Sequence, residues 1–327
     1  MMMFKRFFNE FTLVFDLSPY EAPLLIKSGH ESGADPTLLD MNFVRTTHPR
    51  TGKMTVFLPG SSLKGTLRSY CEKIARTVRP SGGSNWCCDP FELDSGSPNV
   101  FCGKRLERKK STADIYNGSC VACRIFGNTG MASHLTISDA YPLDDPQPEQ
   151  RDGVAIHRVF GTVAAGPFNL EVITRGTFRA KITLQNYQLW QIGLLAIVFR
   201  DLGQGLVPIG FGKSKGFGKM KIAYNQLEVS YPGQFSPKSN GHDLCSELVD
   251  INAFSFPEHA KYGLAPADPA FLPLTEKGYE VAEDGTLGRI SVRCTDAAGI
   301  EATLKTTVGH WKACALGIWP PSEGHDE

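Results

Sequence analysis

The run Phe57-Leu58-Pro59-Gly60-Ser61-Ser62-Leu63-Lys64-Gly65-Thr66-Leu67-Arg68-Ser69 constrains this chain more than any other stretch. It dictates an extended segment, a sharp turn and a helix start in immediate succession. Val56 to Leu58 are strand-like, Pro59-Gly60 makes the turn, and Ser61 or Ser62 can serve as N-cap. Leu63, Leu67, Tyr70 or Cys71, Ile74 and Val78 then recur at helical spacing, which predicts a helix over about 62 to 78. A helix start with outward-facing N–H groups, and with Lys64 and Arg68 one turn apart, can hold phosphate. Ser61, Ser62, Lys64 and Arg68 are therefore candidate anion ligands, although an ordinary capped helix with a surface lysine fits the same residues. Thr66-Leu67 stands where a P-loop needs Lys followed by Ser or Thr, so nucleotide hydrolysis is not supported.

A second glycine-rich segment strengthens the anion reading. Gly210-Phe211-Gly212-Lys213-Ser214-Lys215-Gly216-Phe217-Gly218-Lys219 mixes glycines that admit a close backbone with Lys213, Lys215 and Lys219 for phosphate and two phenylalanines free to stack on bases. It lies between two short apolar stretches, and a plain flexible hairpin tip is the alternative. Net charge at first argues against a nucleic-acid partner, since 34 basic and 34 acidic residues cancel. The zero is an average, however. Residues 1–235 carry 27 Lys and Arg against 20 Asp and Glu, a net of +7, whereas residues 236–327 carry 7 against 14, a net of −7. The basic part holds the motifs.

Nine cysteines, with no signal peptide or membrane-length apolar run, predict a soluble cytoplasmic chain without a disulfide framework. Five of them fall within 37 residues. The pair Cys120-Val121-Ala122-Cys123 together with Cys88 and Cys102 supplies four thiolates, enough for a closed tetrahedral Zn2+ site, with Cys87 competing for the first place. A redox pair or scattered buried thiols are the alternatives. Cys71, Cys245, Cys294 and Cys314 read as core residues.

Thr177-Phe178-Arg179-Ala180-Lys181-Ile182-Thr183-Leu184 alternates as a half-buried strand does, Phe11 to Phe15 opens as another, and Leu135 to Ser138 is short and alternating. Asn186 is a candidate cap for an apolar helix over about 187 to 201. Strands and two helices in this order suit an α+β, ferredoxin-like sheet with long insertions.

The Pro59-Gly60-Ser61-Ser62-Leu63-Lys64-Gly65 helix start, the Cys120-x-x-Cys123-Arg124-x-Phe126-Gly127 segment leading into Leu135 to Ala140, and the glycine-rich loop resemble the RAMP superfamily of CRISPR proteins. The similarity is greatest to backbone subunits of type III effector complexes and covers roughly residues 8 to 225. It implies an RNA-recognition-type core over 1–225, with a zinc-binding insertion at 80–130 and a thumb hairpin at 150–170. Residues 226–327 would be an acidic C-terminal extension of unassigned role. The resemblance further implies guide RNA, target RNA and other CRISPR effector subunits as partners, with no membrane.

In the thumb, Arg151, His157 and Arg158 would hold phosphates and Phe160 or Phe168 would wedge between bases. Target cleavage in such subunits uses an aspartate in the loop before the helix start. Asp40 precedes Phe43-Val44-Arg45 as the family residue does, and Asp35 is the runner-up. The carboxylate would act as base or as ligand to Mg2+ or Mn2+, with His30 a possible helper. A non-cleaving scaffold subunit is the main rival. A stand-alone repeat-processing endoribonuclease and a zinc-ribbon interaction protein without RNA are more distant ones.

Overall fold

The computed structural model describes residues 5–28, 41–94, 96–97, 100–109, 111–254, 256, 259–265, 270–274, 278–284 and 288–317. His30, Asp35 and Asp40 lie outside them.

The core is a six-element unit: strand Glu10–Pro19, helix Gly60–Val78, strands Leu135–Ile137 and Phe178–Gln185, helix Leu189–Gly203 and strand Met220–Pro232. Across the antiparallel sheet these strands stand in the order fourth, first, third, second, which is the split-βαβ, ferredoxin-like connectivity. Tyr141–Pro142 also pairs with the 178–185 strand. Strict alternation explains the layering. Phe11, Leu13, Phe15 and Leu17 of the first strand, with Phe178, Ala180, Ile182 and Leu184 of its neighbour, point into the core. The opposite face is polar and carries cross-strand pairs, Arg179 with Asp16 at 2.8 Å and Thr12 with Thr183 at 3.4 Å.

Two expected boundaries move. Asn186 does not cap the second core helix: it sits at φ 50°, and its Oδ1 accepts from Phe8 N. Gln188 is the N-cap, in a reciprocal capping box with Gln191. The boundary at 225/226 falls inside the Met220–Pro232 strand, whose Leu227, Val229 and Tyr231 are buried. Beyond it the chain adds Arg289–Cys294 and Tyr279–Asp284 to the same sheet edge, and the helix Ala297–Leu316 packs on Leu189–Gly203. A Cβ on Gly193 would lie 2.2 Å from Thr307 O, so only glycine permits that approach.

Candidate nucleic-acid interface and metal centre

The first core helix begins two residues earlier than a Ser61 cap would have it. Pro59 is its N-cap and offers no side-chain bond. The first N–H, on Gly60, donates to Asp139 Oδ1 at 2.8 Å, and a Cβ on Gly60 would stand 2.4 Å from Ile137 O. A carboxylate therefore already meets the first N–H at the positive end of this helix, while Ser61 and Ser62 stand exposed beside it.

Lys64 and Arg68 also point inward. Lys64 Nζ donates to Leu135 O at 3.0 Å, and burial followed by the Arg68 charge lowers its pKa. Arg68 donates to Glu72 Oε1 at 2.9 Å, Gly127 O at 3.1 Å and Cys123 Sγ at 3.4 Å. Burial opposes its charge, but Cys123, Glu72 and Cys120 together raise its pKa above the usual value. These two cations brace the helix against the body of the protein.

The adjacent face of the same helix is open. Ser62, Gly65, Thr66, Ser69, Tyr70 and Lys73 line a groove of about 490 Å3 whose other walls are Ile26, Lys27 and the 206–213 segment. The glycine-rich loop is shaped for this place. Gly210, Gly212, Gly216 and Gly218 all take left-handed φ, and a Cβ on Gly218 would lie 1.9 Å from Ile209 O. Phe211 and Phe217 pack on the core instead of standing free to stack on bases. Lys213, Lys215 and Lys219 are exposed. Burial and the nearby Lys73 charge lower the Lys213 pKa. Among the described residues no carboxylate lines the groove and Lys27, Lys73 and Lys213 form no ion pair, so this lining favours an anion. Sequence reasoning missed Lys27, Tyr70 and Lys73. The signal for Lys73 was present in the small, polar spacing Ser62, Gly65 or Thr66, Ser69, Lys73, one helical face continued to a cation.

Glu149–Ile156 and Val163–Val172 form a separate two-stranded hairpin. His157 Nδ1 accepts from Val159 N at 3.2 Å and Phe160 N at 3.3 Å, and its ring stacks on Phe160 at 4.8 Å. The tip presents Val159 and Phe160 to solvent, 80% and 74% exposed, beside the exposed Arg158; Phe168 is 38% exposed and lies opposite Gly153. Arg151 is exposed near the hairpin's root.

The insertion between helix and second strand folds as four short helices, Gly83–Cys87, Cys102–Arg105, Thr112–Gly118 and Val121–Phe126. They bring Cys88, Cys102, Cys120 and Cys123 together, with all four sulfurs within 4.8 Å of one another and all four residues buried. Cys88 Sγ lies 3.8 Å from Cys123 Sγ and 3.6 Å from Cys120 Sγ, and Cys120 N donates to Cys102 Sγ at 3.3 Å. Cys87 stands outside this foursome, its thiol donating to Glu72 O at 3.7 Å. The neighbouring thiols Cys102 and Cys123 push the Cys120 pKa well down while their own rise, the behaviour of sulfurs competing for one negative charge. Such a foursome can hold a metal ion. Arg68 reaches Cys123 Sγ, and Arg105 Nη2 reaches Cys102 Sγ at 3.7 Å, so two guanidiniums flank the cluster. Arg124 of the same segment is fully buried and donates to Gly263 O at 2.6 Å, tying the insertion to the C-terminal part.

Among the described residues no helix is long and apolar enough to cross a membrane. No curated protein matches the chain. The family model of the RAMP superfamily matches residues 22–221, which take in the groove, the cysteine cluster, the hairpin and the glycine-rich loop, and the chain belongs to that superfamily.

Proposed function

We propose that this chain is a guide-RNA-binding subunit of a type III CRISPR ribonucleoprotein, that it cleaves guide-paired target RNA, and that Asp40 rather than Asp35 supplies the catalytic carboxylate. Membership of the RAMP superfamily supports the assignment to CRISPR RNA binding. The observation that carries it on this chain is the groove with Lys27, Lys73 and Lys213 on its walls and, among the described residues, no acidic lining. Lysines that meet phosphates suit a protein that must accept any guide, because sequence recognition then rests with base pairing. The hairpin tip offers a second point of attachment: Phe160 is free to wedge into a duplex while Arg151, His157 and Arg158 meet phosphates.

The cysteine cluster fits Zn2+. Four thiolates around a divalent ion leave two negative charges, and Arg68 and Arg105 supply two positive ones. This ion is structural, since all four places are filled by protein. At the loop aspartate a bound Mg2+ or Mn2+ would supply Lewis-acid activation of the scissile phosphate.

Two measurements test the reading. Lys73→Ala with Lys213→Ala is expected to weaken single-stranded RNA binding and to flatten the log–log salt dependence by about 1.4, roughly 0.7 for each phosphate that no longer meets a lysine. Lys64→Ala leaves the slope unchanged, and an unchanged slope in the double variant removes the groove from the RNA site. In the assembled complex with magnesium, Asp40→Ala abolishes target cleavage and leaves guide loading intact, whereas Asp35→Ala does much less. Wild-type cleavage by both variants assigns the chain to the non-cleaving scaffold class.

A further inference from the structure

A joint fastens the hairpin to the groove, and the Arg45–Glu171 ion pair sits within it. Leu24 and Ile173 exchange two backbone hydrogen bonds of 2.8 Å. Met41 N donates to Asn169 O at 3.2 Å and Met41 O accepts from Glu171 N at 2.9 Å. Val44 N donates to Ile26 O at 2.9 Å, and Phe211 N donates to Leu25 O at 2.7 Å. The foot of the hairpin, the 24–28 segment that walls the groove and the start of the glycine-rich loop thus meet at one place.

The Glu171 side chain lies inside this joint, 11% exposed. Its Oε2 accepts from Arg45 Nη1 and from Phe43 N, both at 2.7 Å, and its Oε1 accepts from Arg45 Nη2 at 2.5 Å. A partly desolvated pair of this kind contributes little net stability, because the cost of removing both charges from water offsets their attraction. What a planar, bidentate fork does supply is one relative orientation of the parts it joins. Most of the hairpin's length is exposed, so its direction is set at this foot, where the ion pair adds a fixed side-chain geometry to the backbone hydrogen bonds.

We propose that Glu171 and Arg45 are positioning residues for RNA binding, holding the hairpin at the angle that lets a single RNA strand lie in the groove and meet the hairpin tip together. The proposal rests on the RNA-binding reading above. Two attachment points on one rigid frame act as a bivalent site, so loss of the fixed angle lowers affinity only for strands long enough to reach both.

The test compares fluorescence-anisotropy titrations of the full chain with RNA strands of about 6 and about 20 nucleotides. Glu171→Gln keeps an acceptor for Phe43 N and removes the charge. Binding of the long strand is expected to weaken about tenfold or more, with the short strand unchanged. Arg45→Lys, which keeps the charge and loses the fork, gives the same split with smaller amplitude. Equal losses for both lengths, or none for either, overturn the positioning role, and a fall in melting temperature with the length dependence retained does so too. A wild-type chain that binds neither strand overturns the RNA reading itself.

Discussion

His134 shows how one buried side chain sets a pH limit on the whole fold. It is 5% exposed, and its Nδ1 stands 2.7 Å from Gln185 O, where it donates as the neutral ring. Burial lowers its pKa from 6.5 to about 4, with the Gln185 hydrogen bond only partly opposing that. A histidine whose folded pKa lies below its unfolded value contributes stability at neutral pH that is lost as pH falls through that window. Asp250, fully buried at the N-terminus of the 189–203 helix, titrates with the opposite sign, because burial raises its carboxyl to about 7. The informative quantity is therefore the difference between wild type and His134→Asn, which retains a donor near Gln185 O and cannot titrate. That difference is expected to move by about 3 kcal/mol against the wild type as pH drops from neutral to below 4, read by urea unfolding at each pH. Parallel stability curves for the two proteins would show that His134 is not the titrating group. The sequence carried no signal for this residue, since a lone histidine before a short strand reads the same whether buried or solvated.

At the scale of elements, legibility followed how each one is buried. The 178–185 strand could be read because one face is core and the other polar, and the 189–203 helix because it is apolar almost all round. The hairpin strands are mostly exposed on both faces, so no period marks them and only the family resemblance pointed to them. For the first core helix the element was legible and its working face was not. Lys64 and Arg68 look like surface cations in sequence, yet Arg68 is drawn in by Glu72 and by sulfurs brought from about 55 residues away. Cysteine spacing indicated four thiolates with Cys88 ahead of Cys87, and the fold agrees: the 83–87 helix ends so that Cys88 joins the foursome while the Cys87 thiol turns to Glu72 O. The insertion has little regular structure to hold it, and metal binding to such a site is folding free energy. Elemental analysis is expected to find about one zinc per chain. Cys120→Ser with Cys123→Ser loses that zinc and makes the 83–126 segment sensitive to protease. A chain that stays folded and protease-resistant in chelator removes zinc from the account.

Over the whole molecule, the acidic third is built into the sheet and clamps the cysteine-bearing insertion, a role that composition and charge could not disclose. Its strands are short and its helix is only weakly amphipathic, so neither gives a clear period in sequence. Trp311 of the 297–316 helix, 3% exposed, stacks on Trp86 at 5.7 Å and packs against Trp190 at 6.1 Å. Trp86 immediately precedes the Cys87-Cys88 pair, and Arg79, just past the end of the first core helix, lies over its ring at 4.5 Å. One tryptophan therefore joins the C-terminal helix, the second core helix and the approach to the cysteine cluster. Trp311→Ala should cost about 3–5 kcal/mol, the usual range for emptying a large aromatic from a packed core. Because the cavity opens beside Trp86, zinc should also leave faster, measured as transfer to a colorimetric chelator under conditions where the variant is still folded. A separable appendage predicts the reverse: the zinc release rate would match wild type, and a chain ending at residue 225 would fold and melt unchanged. The structure argues against that outcome, since such a chain ends midway through the Met220–Pro232 strand and lacks Leu227, Val229 and Tyr231, all buried against the core.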